Sequence, residues 1–293
     1  MNKHDYASVN GVQLHYASKG QGKLIMFLHG FPEFWYMWKN QLDEFGKDYQ
    51  AVAPDMRGYN LSSKPGELTL YKPKVLMEDI RQLAEYLGHR KFILVAHDWG
   101  GAIAWSFAIF YPQYLEKLVI INAPHPATFD RELRNNPLQR QASKYMLMFR
   151  SPQAEQKLSE NNYSYLINMA FGDLLKRGVM NEEDINEYIS CWSQPGSLTG
   201  GLNYYRASNV GALEQSEKTL LTPPVGDTLP VLKVPTLVIW GEKDTALLGG
   251  CIEGLEKYVI NLKIKRIPDA SHWVVEEKPD LVNSYIREFI EAG

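Results

Sequence analysis

Phe92-Ile93-Leu94-Val95-Ala96-His97-Asp98-Trp99-Gly100-Gly101 is the stretch from which the fold can be read. Its first five residues form an apolar run too short for a helix, which reads as a strand buried on both faces. From Gly100 to Phe110 the sequence turns to alanine and aromatics and stops at Pro112, a helical segment with its breaker. Between the two lies a turn with small residues, Ala96 and Gly100, two positions either side of Asp98. Strand, sharp turn and helix with a reactive side chain at the apex is a nucleophile elbow, here with Asp in the nucleophile position. Taken by itself Asp98 reads first as a helix cap, because Asp is a favoured N-cap and a carboxylate suits the positive end of the macrodipole. The rest of the chain decides between them.

Outward from the elbow, the same unit recurs. Leu24-Ile25-Met26-Phe27-Leu28 reads as a buried central strand, a helix is expected near Trp38 to Phe45, and Gln50-Ala51-Val52-Ala53 gives another strand before Pro54-Asp55. Leu76, Ile80, Leu83 and Leu87 recur at helical spacing, with Gly88 placed to end that helix. Lys117 to Ile121, Thr236 to Trp240 and Lys263 to Ile267 read as strands, and Pro279 to Ala292 as a final helix. At the N-terminus Asn10-Gly11 separates two alternating segments and predicts a two-residue hairpin turn. Strands alternating with helices imply an α/β fold, a mostly parallel sheet flanked by helices. From about Thr128 the pattern becomes helical and aromatic, so an inserted α-helical cap is expected. The expected division is core 1–127, cap 128–226 and core 227–293, with Thr222 to Asp227 as the closing connector.

Composition narrows the function. With 293 residues, 45% apolar and 22% charged, the chain has enough to bury and is not globally disordered. Its formal charge is 31 − 34 = −3, and no basic stripe is present to track phosphates, so no nucleic acid is expected as partner. Cys191 and Cys251 are too few for a disulfide framework or a cysteine-rich metal site. No run approaches the ~18 apolar residues of a membrane span, and the polar start carries no leader pattern. No membrane association is expected, and a cytoplasmic location is.

Two further segments place chemistry beside the elbow. Gly241-Glu242-Lys243-Asp244 puts an acid just beyond one strand, and Pro268-Asp269-Ala270-Ser271-His272-Trp273 puts a histidine just beyond the next. Ligand sites in open α/β sheets lie outside the carboxyl ends of the strands. Nucleophile, acid, histidine is also the chain order of one known triad. His29-Gly30-Phe31-Pro32 follows the Leu24–Leu28 strand and supplies a bend from which a backbone N–H can point at a developing oxyanion.

With these pieces assembled, the chain resembles the α/β-hydrolase superfamily, and over nearly its whole length the bacterial and animal epoxide hydrolases. The resemblance rests on His29-Gly30-Phe31-Pro32-Glu33, Asp55-Met56-Arg57-Gly58-Tyr59, His97-Asp98-Trp99-Gly100-Gly101, Asn122-Ala123-Pro124-His125-Pro126, Trp240 to Asp244 and Ala270 to Trp273. It implies Asp98 as nucleophile, His272 as base, Asp244 as its orienting acid, and backbone N–H groups of Phe31 and Trp99 as the oxyanion hole. Phe31, Pro32 and Trp99 would line the substrate site, with the bond before Pro32 cis. It further implies two cap tyrosines that protonate the leaving oxygen: Tyr145, in Ser143-Lys144-Tyr145-Met146, and Tyr205, in Asn203-Tyr204-Tyr205-Arg206. Neighbours on a helix face about 100° apart, so only one of Tyr204 and Tyr205 can reach the cleft; Tyr205 is chosen because it precedes the Arg.

A carboxylate attacking a saturated carbon forms an alkyl ester whose carbonyl water can then attack. Neither step calls for a metal or an organic cofactor. The implied partners are a small-molecule epoxide and water, acting on a monomer or homodimer. Haloalkane dehalogenation uses the same triad but takes its halide through side-chain N–H donors: Trp99 offers one, whereas Phe31 offers none. Fluoroacetate chemistry would need cationic residues after the nucleophile, which Gly100 to Ile103 lack. A silent hydrolase-fold binding module is the third reading, and it has no need of an intact triad. Structural duties are expected of Trp192, His97, Asp55, Arg57 and both cysteines, with Met146, Met148 and Met169 as apolar cap wall or filler.

Overall fold

The computed structural model describes residues 2–208 and 229–292; the expected connector Thr222 to Asp227 and the end of the expected cap lie outside them. An eight-stranded sheet runs in the order β1-β2-β4-β3-β5-β6-β7-β8. β1 (Lys3–Val9) and β2 (Val12–Lys19) form an antiparallel hairpin at one edge. Asn10 (φ 46°) and Gly11 (φ 74°) both take positive φ there, as the primed turn requires. The remaining strands, β3 (Leu24–Leu28), β4 (Gln50–Pro54), β5 (Phe92–His97), β6 (Leu115–Ile121), β7 (Thr236–Gly241) and β8 (Leu262–Ile267), pair in parallel with one another.

Why the central strands read as unbroken apolar runs is visible in β5. Phe92, Leu94 and Ala96 enter the core on one face, while Ile93 and Val95 enter a second core on the other. The first face carries α2 (Pro73–Tyr86) and α3 (Asp98–Phe110) through Leu76, Ile80, Leu83, Ile103 and Phe107. The second carries α1 (Lys39–Phe45) through Leu42 and Phe45, and the C-terminal helix through Val282, Ile286 and Phe289. Each such buried side chain contributes roughly 1.5–3 kcal/mol relative to exposure.

Between β6 and β7 come α4 (Pro126–Asn135), α5 (Pro137–Ala142), α6 (Tyr145–Arg150), α7 (Ala154–Lys176), α8 (Glu182–Trp192) and α9 (Ser197–Ala207). α4 starts two residues before the expected Thr128, because His125 Nδ1 accepts from the Ala127 N–H and Pro126 suits the first helical position. α7 is broken at Glu160–Tyr163, where Asn161, Asn162 and Tyr163 adopt left-handed backbone. The helix expected near Trp38 to Phe45 is α1, preceded by a 3-10 turn at Trp35–Trp38. The last expected helix has a forerunner, α10 (Val274–Glu277), set off by non-helical Lys278 from α11 (Pro279–Glu291). The inserted helices meet the sheet's loops at specific points: Trp192 Nε1 donates to Pro32 O at 2.7 Å, and the Ser197 hydroxyl accepts from Asn60 N at 2.9 Å.

Candidate active site

Asp98 sits where β5 ends and α3 begins, at φ 47°, a strained region for a side chain-bearing residue. Two glycines allow the close approach. A Cβ on Gly100 would lie 2.5 Å from Leu28 O, and one on Gly30 only 2.1 Å from Asp98 Oδ1. The loop after β3 therefore presses its backbone onto the carboxylate, and Phe31 N–H donates to Asp98 Oδ1 at 2.8 Å. The Phe31–Pro32 bond is cis. Trp99, the first residue beyond the apex, is buried.

Asp244, in the loop after β7, is held through both carboxylate oxygens. Oδ1 accepts from Ala246 N and Leu247 N, each at 2.8 Å. Oδ2 accepts from Asn122 Nδ2 at 2.8 Å and from His272 Nδ1 at 2.7 Å. Burial works against its charge, but His272 and these donors outweigh it and hold the carboxyl below its usual value. His272 Nε2 then points at Asp98, 3.7 Å from Oδ2. Burial opposes the imidazolium too; the Asp244 charge and hydrogen bond, with Asp98 and Glu33 behind them, push His272 up to about 9.

Above the carboxylate the helical insertion contributes an aromatic wall. Tyr205 meets Trp99 edge-on, ring centroids 5.0 Å apart, and Phe31 at 5.7 Å. Tyr145 lies 6.3 Å from Tyr205. Burial, then the Asp98 charge, raises both phenols well above 10, so both remain donors. Tyr204 is turned away and donates to Arg57 O at 2.8 Å.

Other singled-out residues have identifiable neighbours. Trp192 spends its indole N–H on Pro32 O, Asp55 pairs with His15 Nδ1 at 2.6 Å, and Arg57 grips Asp79 at 2.6 and 2.7 Å. Cys191 and Cys251 are buried and free. Met146 is buried, but Met169 is 40% exposed and forms no part of an apolar wall. His97 does more than pack under the turn: its Nδ1 shares a 3.0 Å hydrogen bond with Glu33 Oε2, and its Nε2 donates to His272 O at 2.9 Å. Sequence reading passed over Asn122, Glu33 and Glu276 as parts of the site. Asn122 carried a signal, since it directly follows β6 at the same sheet edge as Asp98 and Asp244.

The arrangement provides a carboxylate with one backbone donor on it, an imidazole oriented by a second carboxylate, and two phenols, Tyr205 buried and Tyr145 partly buried. Among the described residues no cluster of His, Cys, Asp and Glu could hold a metal ion. No described helix is long and apolar enough to cross a membrane.

Known proteins share the sequence family and the fold of this chain. The alpha/beta hydrolase fold family profile matches residues 23–279. The AB hydrolase superfamily protein YfhM of Bacillus subtilis is 39% identical over 99% of this chain and 98% of its own length. Human epoxide hydrolase 4 is 37% identical over 96% of this chain and 76% of its own. A mutant epoxide hydrolase from Bacillus megaterium, solved with its product (R)-3-[1]naphthyloxy-propane-1,2-diol, superposes at a TM-score of 0.91. It is 41% identical, covering 98% of this chain and 99% of that one.

Proposed function

The chain belongs to the α/β-hydrolase fold family, and from that membership we propose that it is an epoxide hydrolase, converting epoxides and water to vicinal diols through an ester on Asp98. The similarity to epoxide hydrolases along nearly the whole chain supports the activity. The disposition of Asp98, His272 and the two phenols supports the route.

Asp98 Oδ1 is already engaged by Phe31 N–H, so Oδ2 is the oxygen free to attack an epoxide carbon. As the new C–O bond forms, the ring C–O bond breaks, and the leaving oxygen takes a proton from Tyr145 or Tyr205. His272 next removes a proton from water, whose oxygen adds to Cγ of the ester. Phe31 and Trp99 N–H groups hold the oxyanion while the ester C–O bond breaks. The departing alkoxide takes the remaining water proton from the new Asp98 carboxyl, so that the diol leaves and the Asp98 carboxylate is regenerated, and the proton held by His272 returns to the phenolate. Residues 128–226 would act as a cap over a core of 1–127 and 227–293.

The observation that carries epoxide over halide is the pair of phenols beside Asp98, Tyr205 buried and Tyr145 partly buried, with Tyr204 and the Trp192 indole both committed elsewhere. Turnover of an aryl epoxide and of a haloalkane, measured side by side, tests it. Diol without halide release supports the proposal; halide release without diol refutes it.

A further inference from the structure

Written as carboxylates, two acids beneath the histidine loop leave three buried oxygens without partners: Glu33 Oε1 and both oxygens of Glu276. Glu33 lies on the loop after β3, fully buried. Glu276 lies on α10, four residues beyond His272, with its carboxyl turned inward. The two carboxyls are in hydrogen-bonding contact. Two carboxylates cannot make that bond, because neither has a donor; at least one proton lies between them.

The far end of the chain fixes its direction. His272 O can only accept, so His97 Nε2 must donate to it. The bond between His97 Nδ1 and Glu33 Oε2 holds a second proton, whichever atom carries it. Glu33 Oε1 is then left as an acceptor, and the proton facing it belongs to Glu276. All three bonds run one way, from Glu276 through Glu33 and His97 to the main chain of His272.

We propose that Glu276 is a positioning residue for ester hydrolysis: as a buried neutral acid it donates the first bond of a one-way chain that fixes the His272 main chain. The inference rests on the reading of His272 as the base. Burial and the neighbouring Glu33 carry the Glu276 carboxyl well above the carboxylate range, and burial raises Glu33 to about 7. Burial lowers His97 to about 4, which keeps the ring neutral and the middle proton on Glu33. The other groups around Glu276 offer no compensating cation. Tyr188 is neutral with an unpartnered hydroxyl. In the surface cleft that Glu276 lines with Tyr36, Lys39 and Asp184, Lys39 is paired with Asp184. Glu277 takes Arg177 and Ser271 N. Ionised Glu276 would therefore face the Glu33 Oε1 lone pairs with no proton between them and release the chain.

Two variants separate donation from shape. Glu276→Gln keeps an N–H donor without a titrating proton, and Glu276→Met keeps length without a donor. Single-turnover kinetics with an aryl epoxide resolve ester formation from breakdown across pH. In E276M breakdown should slow about tenfold while formation changes little, so that kcat and KM fall together and kcat/KM holds. E276Q should restore breakdown and abolish its alkaline decline. Infrared spectroscopy at neutral pH should show two protonated-acid carbonyl bands in the wild type, one each from Glu33 and Glu276, and E276Q should lose one of them. Wild-type breakdown in E276M with an unchanged alkaline limb overturns the proposal, as does an acid-band intensity in E276Q equal to that of the wild type. Should the wild type form no ester, the functional reading fails, and the infrared comparison still decides whether Glu276 carries its proton.

Discussion

His272 Nε2 stands 3.7 Å from Asp98 Oδ2 while His272 Nδ1 holds Asp244 at 2.7 Å. The imidazole is thus anchored on one side and stops short of a direct hydrogen bond on the other. A base that must take a proton from water attacking Cγ needs that kind of offset, and a ring clamped tightly between two carboxylates would lack it.

The charge balance gives the first prediction. In the free enzyme burial opposes protonation of His272, and Asp244, then Asp98, override it to about 9. Ester formation removes the Asp98 charge, so the imidazole pKa falls and the neutral base appears when it is needed. The rate of ester breakdown should rise with pH along a limb whose midpoint lies below that of the free enzyme. Stopped-flow traces over a pH series check this; a limb centred at or above the free-enzyme value contradicts it.

The phenols give the second. Tyr145→Phe and Tyr205→Phe should each slow ester formation by about 10²-fold, the usual weight of a positioned general acid. Tyr204→Phe should leave formation unchanged and cost about 1 kcal/mol of stability, because its hydroxyl is spent on Arg57 O. Equal kinetic losses in Tyr204→Phe and Tyr205→Phe would reverse the assignment.

Gly30 gives the third. A methyl group there would fall 2.1 Å from Asp98 Oδ1, so Gly30→Ala must displace the carboxylate or the Phe31 N–H. Loss of one oxyanion donor costs about 10²–10³ in kcat. An unaltered circular dichroism spectrum with a loss of that size is expected; wild-type kcat would show that the loop can yield.

Acid stability gives the fourth. Burial holds His125 near 4, against 6.5 in an unstructured chain. The folded state therefore refuses a proton that the unfolded state accepts, and stability present above pH ~6.5 is lost as pH falls toward ~4. His125→Asn keeps a capping side chain for Ala127 N without the titration. Its stability against pH in urea denaturation should be flatter through that window by about 1.4 kcal/mol per pH unit, whatever its absolute value. An unchanged slope would assign the proton elsewhere.

What could be read in advance follows from how each feature is encoded. β3, β5 and β7 announce themselves because strands buried on both faces must be apolar at every position. The convergence of Asp98, Asp244 and His272 was legible because they lie just beyond the ends of β5, β7 and β8, and the sheet itself brings those ends together. Two resemblance-derived features, Tyr145 and Tyr205, have no local pattern of their own; 17 tyrosines in the chain give composition no means of choosing two. The Glu33–Glu276 contact is the opposite case: it joins a loop after β3 to α10, and a shared proton leaves no trace in spacing. The break in α7 was readable in principle, since Asn161 and Asn162 stand in tandem and Asn tolerates left-handed backbone. Met169 was misjudged because helical spacing alone does not say which face of α7 meets solvent.

The most direct measurement is the intact mass of a His272→Gln variant incubated separately with an aryl epoxide and with a haloalkane. Without the base the ester should persist. A gain equal to the whole epoxide, mapped by peptide sequencing to Asp98, with no gain from the haloalkane, is the predicted result. An alkyl adduct from the haloalkane alone, or no adduct from either, would contradict the account.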